Sequence, residues 1–441
     1  MTACETAPAA IRAEPNRHDG PGLERNSLAL AISALVTGVL GLVYWALIGR
    51  VYPAREVGAA AAIITTATML SAFGNLSFGA LFERFVPVAG RKLPALVRTG
   101  FVAGVAVSAT LAVGFLWVGP TDKLFTGSLD RMLFPVVVVS FSVFALLDHT
   151  AVGLRRATWA AQKNITHAVV KTLLVLAFAA IATRATIVWT WVGPAVLLSL
   201  VLGVVVIRRI RTESASGIGD SLPDRRELGT YLAGTYLLYV VGALTPLLMP
   251  LIVVAQLGTE LNAYFAISWS LVTALIVLLT ILMGPYIAAA AADSRNAYRL
   301  TQRFLSILGL VGVSGALFLA VAGPVLLSLV GPQYRALGGP LLQLAAIGIV
   351  PALVGHAYSA ISRLLGRLRY AVAAQCVNAV LMLGLGVAWV DVDGLRGLAY
   401  AFITAELATA LLVILPLIFS VRRIRQSDRA HGEPVPVSPR S

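Results

Sequence analysis

The chain has 441 residues, 58% of them hydrophobic and 12% charged, with 34 Lys and Arg against 20 Asp and Glu. Soluble proteins carry roughly 25% charged residues, so a soluble enzyme is excluded, and the mean hydropathy of +0.86 indicates a polytopic membrane protein. The formal charge of +14 does not indicate nucleic acid, because the basic residues fall in short loops between apolar runs, where membrane orientation places them.

The first 25 residues form a polar tail holding Cys4, Glu5, Glu14, Asp19 and Glu24. The apolar run that follows has no convincing cleavage site, which predicts a spanning helix and not a removed signal peptide. Spans are predicted at 27–49, 57–81, 99–118, 132–152, 165–183, 187–207, 230–255, 262–285, 304–329, 338–362, 370–390 and 398–420. Each is long enough for a hydrocarbon core that needs about 20 helical residues. The expected fold class is therefore all-α, with twelve transmembrane helices.

With the N-terminus inside, every inner segment carries at least three basic residues. The outer loops hold Arg50, Arg55, Lys123, Arg131, Arg184, Arg335 and Arg396, and Lys171 alone falls within a span. This bias predicts a multi-pass membrane protein with both termini cytoplasmic. Trp45, Trp117, Trp189, Trp191 and Trp389 fall at predicted outer ends, where an indole suits the headgroup level. Cys4 and Cys376 lie in environments too different to pair.

The chain repeats itself. Gly119-Pro120 recurs as Gly323-Pro324, His149 with Arg155 as His356 with Arg363, and Arg208-Arg209-Ile210-Arg211 as Arg422-Arg423-Ile424-Arg425. Six helices per half is an even number, so the halves share one orientation and form two six-helix lobes related by a pseudo-two-fold axis along the membrane normal. The expected organisation is a tail (1–25), an N-lobe (26–207), a cytoplasmic linker (208–229), a C-lobe (230–421) and a C-terminal tail (422–441).

No catalytic, nucleotide-binding, metal or other cofactor motif stands out, which predicts a protein that is not an enzyme. Polar residues inside spans are the stronger signal, since their burial in hydrocarbon is costly. Asn26, Ser33, Thr37 and Tyr44 share a narrow arc of the first span, and Tyr231, Thr235, Tyr239 and Thr245 share one on the seventh. The second span offers Thr68, Ser71 and Asn75, with Glu83 and Arg84 at its end, and the fifth offers Asn164, His167 and Lys171. These stripes either line a wet cleft between the lobes or serve helix packing.

Lys171 lies seven residues past Asn164, about 10 Å along the helix. Its amine binds an anion, snorkels to the inner surface or forms a buried ion pair. Asn378 is its neutral counterpart in the second repeat, with Gln375 nearby. Glu406, deep in the last span, is a candidate for proton or sodium coupling or a satisfied structural carboxyl. Asp148 and His149, followed by Arg155 and Arg156, suggest an interfacial network with Asp148 as a second coupling candidate. His356 reads as a hydrogen-bonded helix residue.

Several loops resemble one family. Arg50-Val51-Tyr52-Pro53-Ala54-Arg55-Glu56-Val57-Gly58, Ala80-Leu81-Phe82-Glu83-Arg84-Phe85, Val330-Gly331-Pro332-Gln333-Tyr334, Arg363-Leu364-Leu365-Gly366-Arg367 and Asp393-Gly394-Leu395-Arg396-Gly397-Leu398-Ala399 are similar to segments of the polysaccharide flippases. These flippases belong to the multidrug/oligosaccharidyl-lipid/polysaccharide (MOP) exporter superfamily, and the resemblance covers about residues 24–425. It implies a MATE-like pair of lobes that alternates access and carries an undecaprenyl-pyrophosphate-linked saccharide between leaflets, the lipid tail lying beside an opening between helices. It implies that Arg25, Arg84 and Lys171 meet the pyrophosphate and that Asn26, Asn75, Asn378 and the tyrosines meet sugar. Membrane lipids, a polysaccharide polymerase and glycosyltransferases are the implied partners. The chain departs from the lipid II flippase branch in having twelve spans and not fourteen, and no Arg in the eighth.

Three other classes compete. An ion-coupled drug or small-molecule exporter needs a cavity carboxylate, for which Glu406 is the candidate. A membrane-embedded glycosyltransferase needs an acid pair on a large outer loop, and the outer loops here are short. A major-facilitator transporter needs an Asp-Arg-x-Gly-Arg loop, which residues 82–98 lack.

Overall fold

The computed structural model describes residues 20–215 and 222–432, and among these every regular element is helical. The first half holds α1 (Gly20–Val51), α2 (Ala54–Gly74), α3 (Phe78–Phe85), α4 (Leu93–Val118), α5 (Ser128–Gly153), α6 (Ala157–Ala177) and α7 (Arg184–Ala215). The second holds α8 (Arg225–Leu257), α9 (Thr259–Ile281), α10 (Met283–Ala292), α11 (Ala297–Val321), α12 (Gly323–Val330), α13 (Gly339–Leu364), α14 (Leu368–Asp393) and α15 (Leu395–Gly432). Nine described helical segments are long and apolar enough to cross a membrane, and α1 and α8 add shorter apolar stretches at Val36–Val51 and Ala243–Leu257. The chain is a polytopic membrane protein.

Three predicted spans are broken. The expected span 57–81 divides into α2 and α3 because Leu76 and Ser77 take left-handed backbone angles, with φ of 48° and 59°. That conformation costs about 1–2 kcal/mol for each L-residue. The hydrogen-bond ladder is interrupted there and restarts with the Phe78 N–H on the Asn75 carbonyl. The expected span 262–285 divides at Leu282, just ahead of Gly284 and Pro285, and Pro285 lacks the N–H a continuous helix would use. The expected span 304–329 is likewise two helices, α11 and α12, with Pro324 in the first turn of the second.

Helix contacts sort into two groups, α1–α7 and α8–α15, joined by contacts of α1, α2 and α3 with α8, α9 and α12. The turns alternate between two faces. One carries Arg91, Lys92, Arg155, Arg156, Arg295, Arg363 and Arg367 and is called the basic face here; the other carries the turns at 51–54, 118–128, 257–259 and 393–395.

At the opposite face the halves meet closely. A Cβ on Gly58 would stand 1.6 Å from the Thr259 carbonyl oxygen, so only glycine lets α2 approach α9 this far. Asn262, fully buried, donates its side-chain amide to the Gly58 carbonyl at 2.8 Å. Gly49 of α1 sits against Ile267, Val330 and Tyr334 in the same way. Each half is braced behind this seam. Arg184 forks onto Glu56, with Nη2 to Oε1 and Nε to Oε2 both at 2.9 Å, and its Nη1 donates to the Leu124 carbonyl. Tyr264 donates to Gln333 at 2.8 Å on the other side.

Toward the basic face α1 and α9 diverge. Val39 and Val43 of α1 and Val277, Leu278 and Ile281 at the end of α9 are exposed there. On the other flank α3 stays against α8, where Phe85 meets the Tyr231 ring edge-on at 5.3 Å. The two halves are thus sealed at one face and parted along one flank.

Candidate functional site

Two cavities occupy the space this geometry leaves. The first, about 390 Å³, lies inside the first half, walled by α2, α3, α5, α6 and α7, with Thr235 contributed by α8. The break at Leu76 and Ser77 makes room for it. Thr68, Ser71 and Asn75 all reach its wall, together with Ser77, His167 and Trp191. The second, about 490 Å³, lies between the halves and opens along the parted α1–α9 flank; Thr37, Trp45, Thr65, Trp269, Ser270 and Thr273 are among its lining.

The charges around the first cavity are distributed unequally. Lys163 is paired: its Nζ is 2.8 Å from Asp148, and Asn164 donates to the same carboxylate at 3.0 Å. His149 pairs with Glu83 at 2.7 Å, near the basic face. Lys171 is only 5% exposed and has no carboxylate within ion-pair distance among the described residues. Its ammonium rests 3.1 Å from the centre of the Trp191 ring and 4.8 Å from that of Tyr44. A π face attracts a cation but does not neutralise it. Trp191 also accepts the His167 Nε2–H at its carbonyl, at 2.9 Å.

The residues singled out from sequence therefore separate. Lys171 neither snorkels nor pairs, and the ion pair of that helix belongs to Lys163. Asn75 lines the cavity while its amide oxygen accepts from Ser142 at 2.5 Å. Arg84 is exposed at the basic face, its guanidinium stacked 4.8 Å from the Tyr231 ring centre, and is absent from the walls of both cavities. The backbone of α1 is helical through Arg25 and Asn26, whose side chains lie outside the described residues, as do Cys4 and the Tyr239 side chain. In the second half Asn378 donates to the Thr409 hydroxyl at 3.0 Å and lies beside half-buried Glu406, remote from the Lys171 cluster. Asp148 serves Lys163 and not His149, so the expected network divides into two pairs.

The first-span stripe also splits. Ser33 donates to the Ala161 carbonyl and Tyr44 is fully buried, whereas Thr37 reaches the cavity between the halves. Trp191, expected at headgroup level, instead walls a cavity, because α7 already begins at Arg184 and carries it two turns inward.

Residues 23–226 match the family model for polysaccharide biosynthesis proteins. An inward-facing multidrug resistance transporter of the MATE family in the MOP superfamily superposes with a TM-score of 0.66 at 12% identity, covering 92% of this chain and 99% of that one. Over its first half the chain is similar to polysaccharide biosynthesis proteins, and it has the fold of the MATE and other MOP transporters. A MOP superfamily transporter from Pyrococcus furiosus, described as having a binding pocket of reversed polarity, superposes at 0.61 with 13% identity, over 92% of this chain and 96% of that one. The NADH-quinone oxidoreductase subunit J of Pseudomonas aeruginosa is 30% identical over 164 residues, 36% of this chain and 94% of that protein. Apolar spans draw on a small alphabet of Leu, Ala, Val and Gly, and a match to a third of the chain does not account for the two-lobe fold. The resemblance read from the loops is met by the family model over residues 23–226 and by the fold over 92% of the chain.

Proposed function

We propose that this MOP-fold protein carries a polyprenyl-diphosphate-linked oligosaccharide, undecaprenyl pyrophosphate in a bacterium, from the inner to the outer leaflet of the plasma membrane for export of a surface polysaccharide. The basic face is cytoplasmic, and the lobes, 26–207 and 230–421 flanking a linker, alternate access without catalysing a reaction. The observation that carries this reading is Lys171, a buried cation with no carboxylate partner among the described residues, packed on the Trp191 ring that walls a cavity holding the hydroxyls of Thr68, Ser71, Ser77 and Thr235 and the amide of Asn75, with Glu83 paired to His149 at its edge. A diphosphate supplies the missing charge, and a charge-assisted contact in a low-dielectric site is strong. The parted α1–α9 flank lets an isoprenoid tail stay in the bilayer while the headgroup occupies the cavities. A polymerase and glycosyltransferases are the partners such a cargo implies.

Reconstitution tests this. Vesicles holding the protein and a fluorescent short-chain prenyl diphosphate saccharide in both leaflets should lose the protection of their inner-leaflet probe from an external membrane-impermeant reductant faster than empty vesicles. Vesicles with Lys171→Gln should behave as empty ones. Equal rates for all three would end the proposal.

A second reading, an ion-coupled small-molecule exporter, is favoured by one observation, the placement of Glu406 beside Asn378 in the C-lobe with no cation in ion-pair distance among the described residues. Glu406→Gln abolishing the ion dependence of export would support it.

A further inference from the structure

We infer that the saccharide part of the cargo stacks on Trp45 in the cavity between the lobes, an inference that rests on the cargo being a lipid-linked saccharide. Trp45 lies six residues before the end of α1, about 9 Å inward at 1.5 Å per residue, and it faces a cavity there. An indole at that depth has left the headgroup zone that normally favours it.

Its ring is fixed from behind. Tyr44 meets it edge-on at 5.6 Å and 83°, and Trp191 lies 6.0 Å away at 45°. Tyr44 is itself fully buried and edge-on to Trp191 at 5.1 Å. A flat ligand pays little to order a platform that is already held in place. Across the same cavity stands Trp269, stacked on Phe265 at 5.5 Å.

The rest of the lining defines the ligand. Thr37, Thr65, Ser270 and Thr273 line it with hydroxyl groups, those of Thr37 and Ser270 donating to the Ser33 and Ile267 carbonyls and keeping lone pairs to accept, and among the described residues no charged one contributes to the wall. A pyranose has the complementary surface: an apolar face of C–H groups for the negative face of an indole, and a rim of hydroxyls for Ser and Thr. A planar organic cation would also stack, but this wall offers it no carboxylate, and the nearby Lys171 ammonium behind Trp191 repels it. A volume of about 490 Å³ falls in the range of small-molecule sites and suits a short saccharide, not a polymer. The two rings thus divide the cargo, with the anionic group on the Trp191 side and the sugar on the Trp45 side.

The test compares two probes on purified full-length protein in nanodiscs: farnesyl diphosphate, and farnesyl diphosphate linked to N-acetylglucosamine. Wild type should bind the glycosylated probe about tenfold more tightly. Trp45→Ala should erase that difference and leave affinity for farnesyl diphosphate unchanged, while Trp45→Phe, which keeps a stacking face and reports on folding, should retain most of it. Equal affinity of wild type for both probes, or a difference that survives in Trp45→Ala, overturns the inference while the diphosphate reading stands. Binding of neither probe overturns the cargo reading itself, and this inference with it.

Discussion

Asn262 reaches across the boundary between the lobes and donates its amide to the carbonyl of Gly58 at 2.8 Å, with both residues buried. Neither helix yields there, because Glu56, two residues before Gly58, is forked by Arg184 and Tyr264 is tied to Gln333. In the transport cycle proposed above, this seam is the plane along which the halves would part.

Gly58→Leu should hold that seam open. Even the Cβ would overlap the Thr259 carbonyl, so α2 and α9 must separate. In a chain whose native cysteines are replaced, Thr65→Cys should react with a membrane-impermeant maleimide from the face opposite the basic one about tenfold faster when Gly58→Leu is present. Unchanged labelling would mean that the contact does not close the cavity.

The two buried lysines of α6 should behave oppositely. Lys163→Gln leaves Asp148 without its cation, and breaking a buried pair costs roughly 3 kcal/mol, so thermal unfolding in detergent should fall by several degrees. Lys171→Gln orphans no carboxylate and relieves the burial of a charge; it should unfold at the same temperature or higher while transport is lost. A large drop in stability for Lys171→Gln would show that its amine is structural.

Arg184→Ala should loosen the N-lobe at the face opposite the basic one. Its guanidinium is 5% exposed and satisfies both oxygens of Glu56. The loss should be roughly 3 kcal/mol, and Arg184→Lys should recover less than half, since an ammonium cannot fork. Detergent unfolding curves of the two variants check this.

Much of the fold was legible because hydrocarbon enforces a simple code: apolar length gives spans, and Lys and Arg give sides. The breaks were less legible. Leu76 and Ser77 adopt left-handed angles though neither is Gly or Asn, with only Gly74 and Asn75 ahead of them as a weak turn signal, whereas Pro285 and Pro324 were visible signals that an apolar run overrode. In the candidate site, Thr68, Ser71 and Asn75 could be placed together because they share one helix face. What spacing could not show was which lysine pairs, since the Lys163–Asp148 contact joins α5 to α6. Nor could it separate Trp191 from the interfacial tryptophans, because depth depends on where α7 starts. The Gly58–Asn262 contact spans 204 residues and left no local trace.

The most direct test of the central claim is lipid analysis after depletion of this protein in its native cell. Undecaprenyl-linked saccharides would be extracted and probed for leaflet with a membrane-impermeant reagent. The account predicts accumulation of a complete repeat unit confined to the cytoplasmic leaflet, with surface polysaccharide falling in parallel. No accumulation, with surface polysaccharide unchanged, would contradict it and leave the ion-coupled exporter as the better reading.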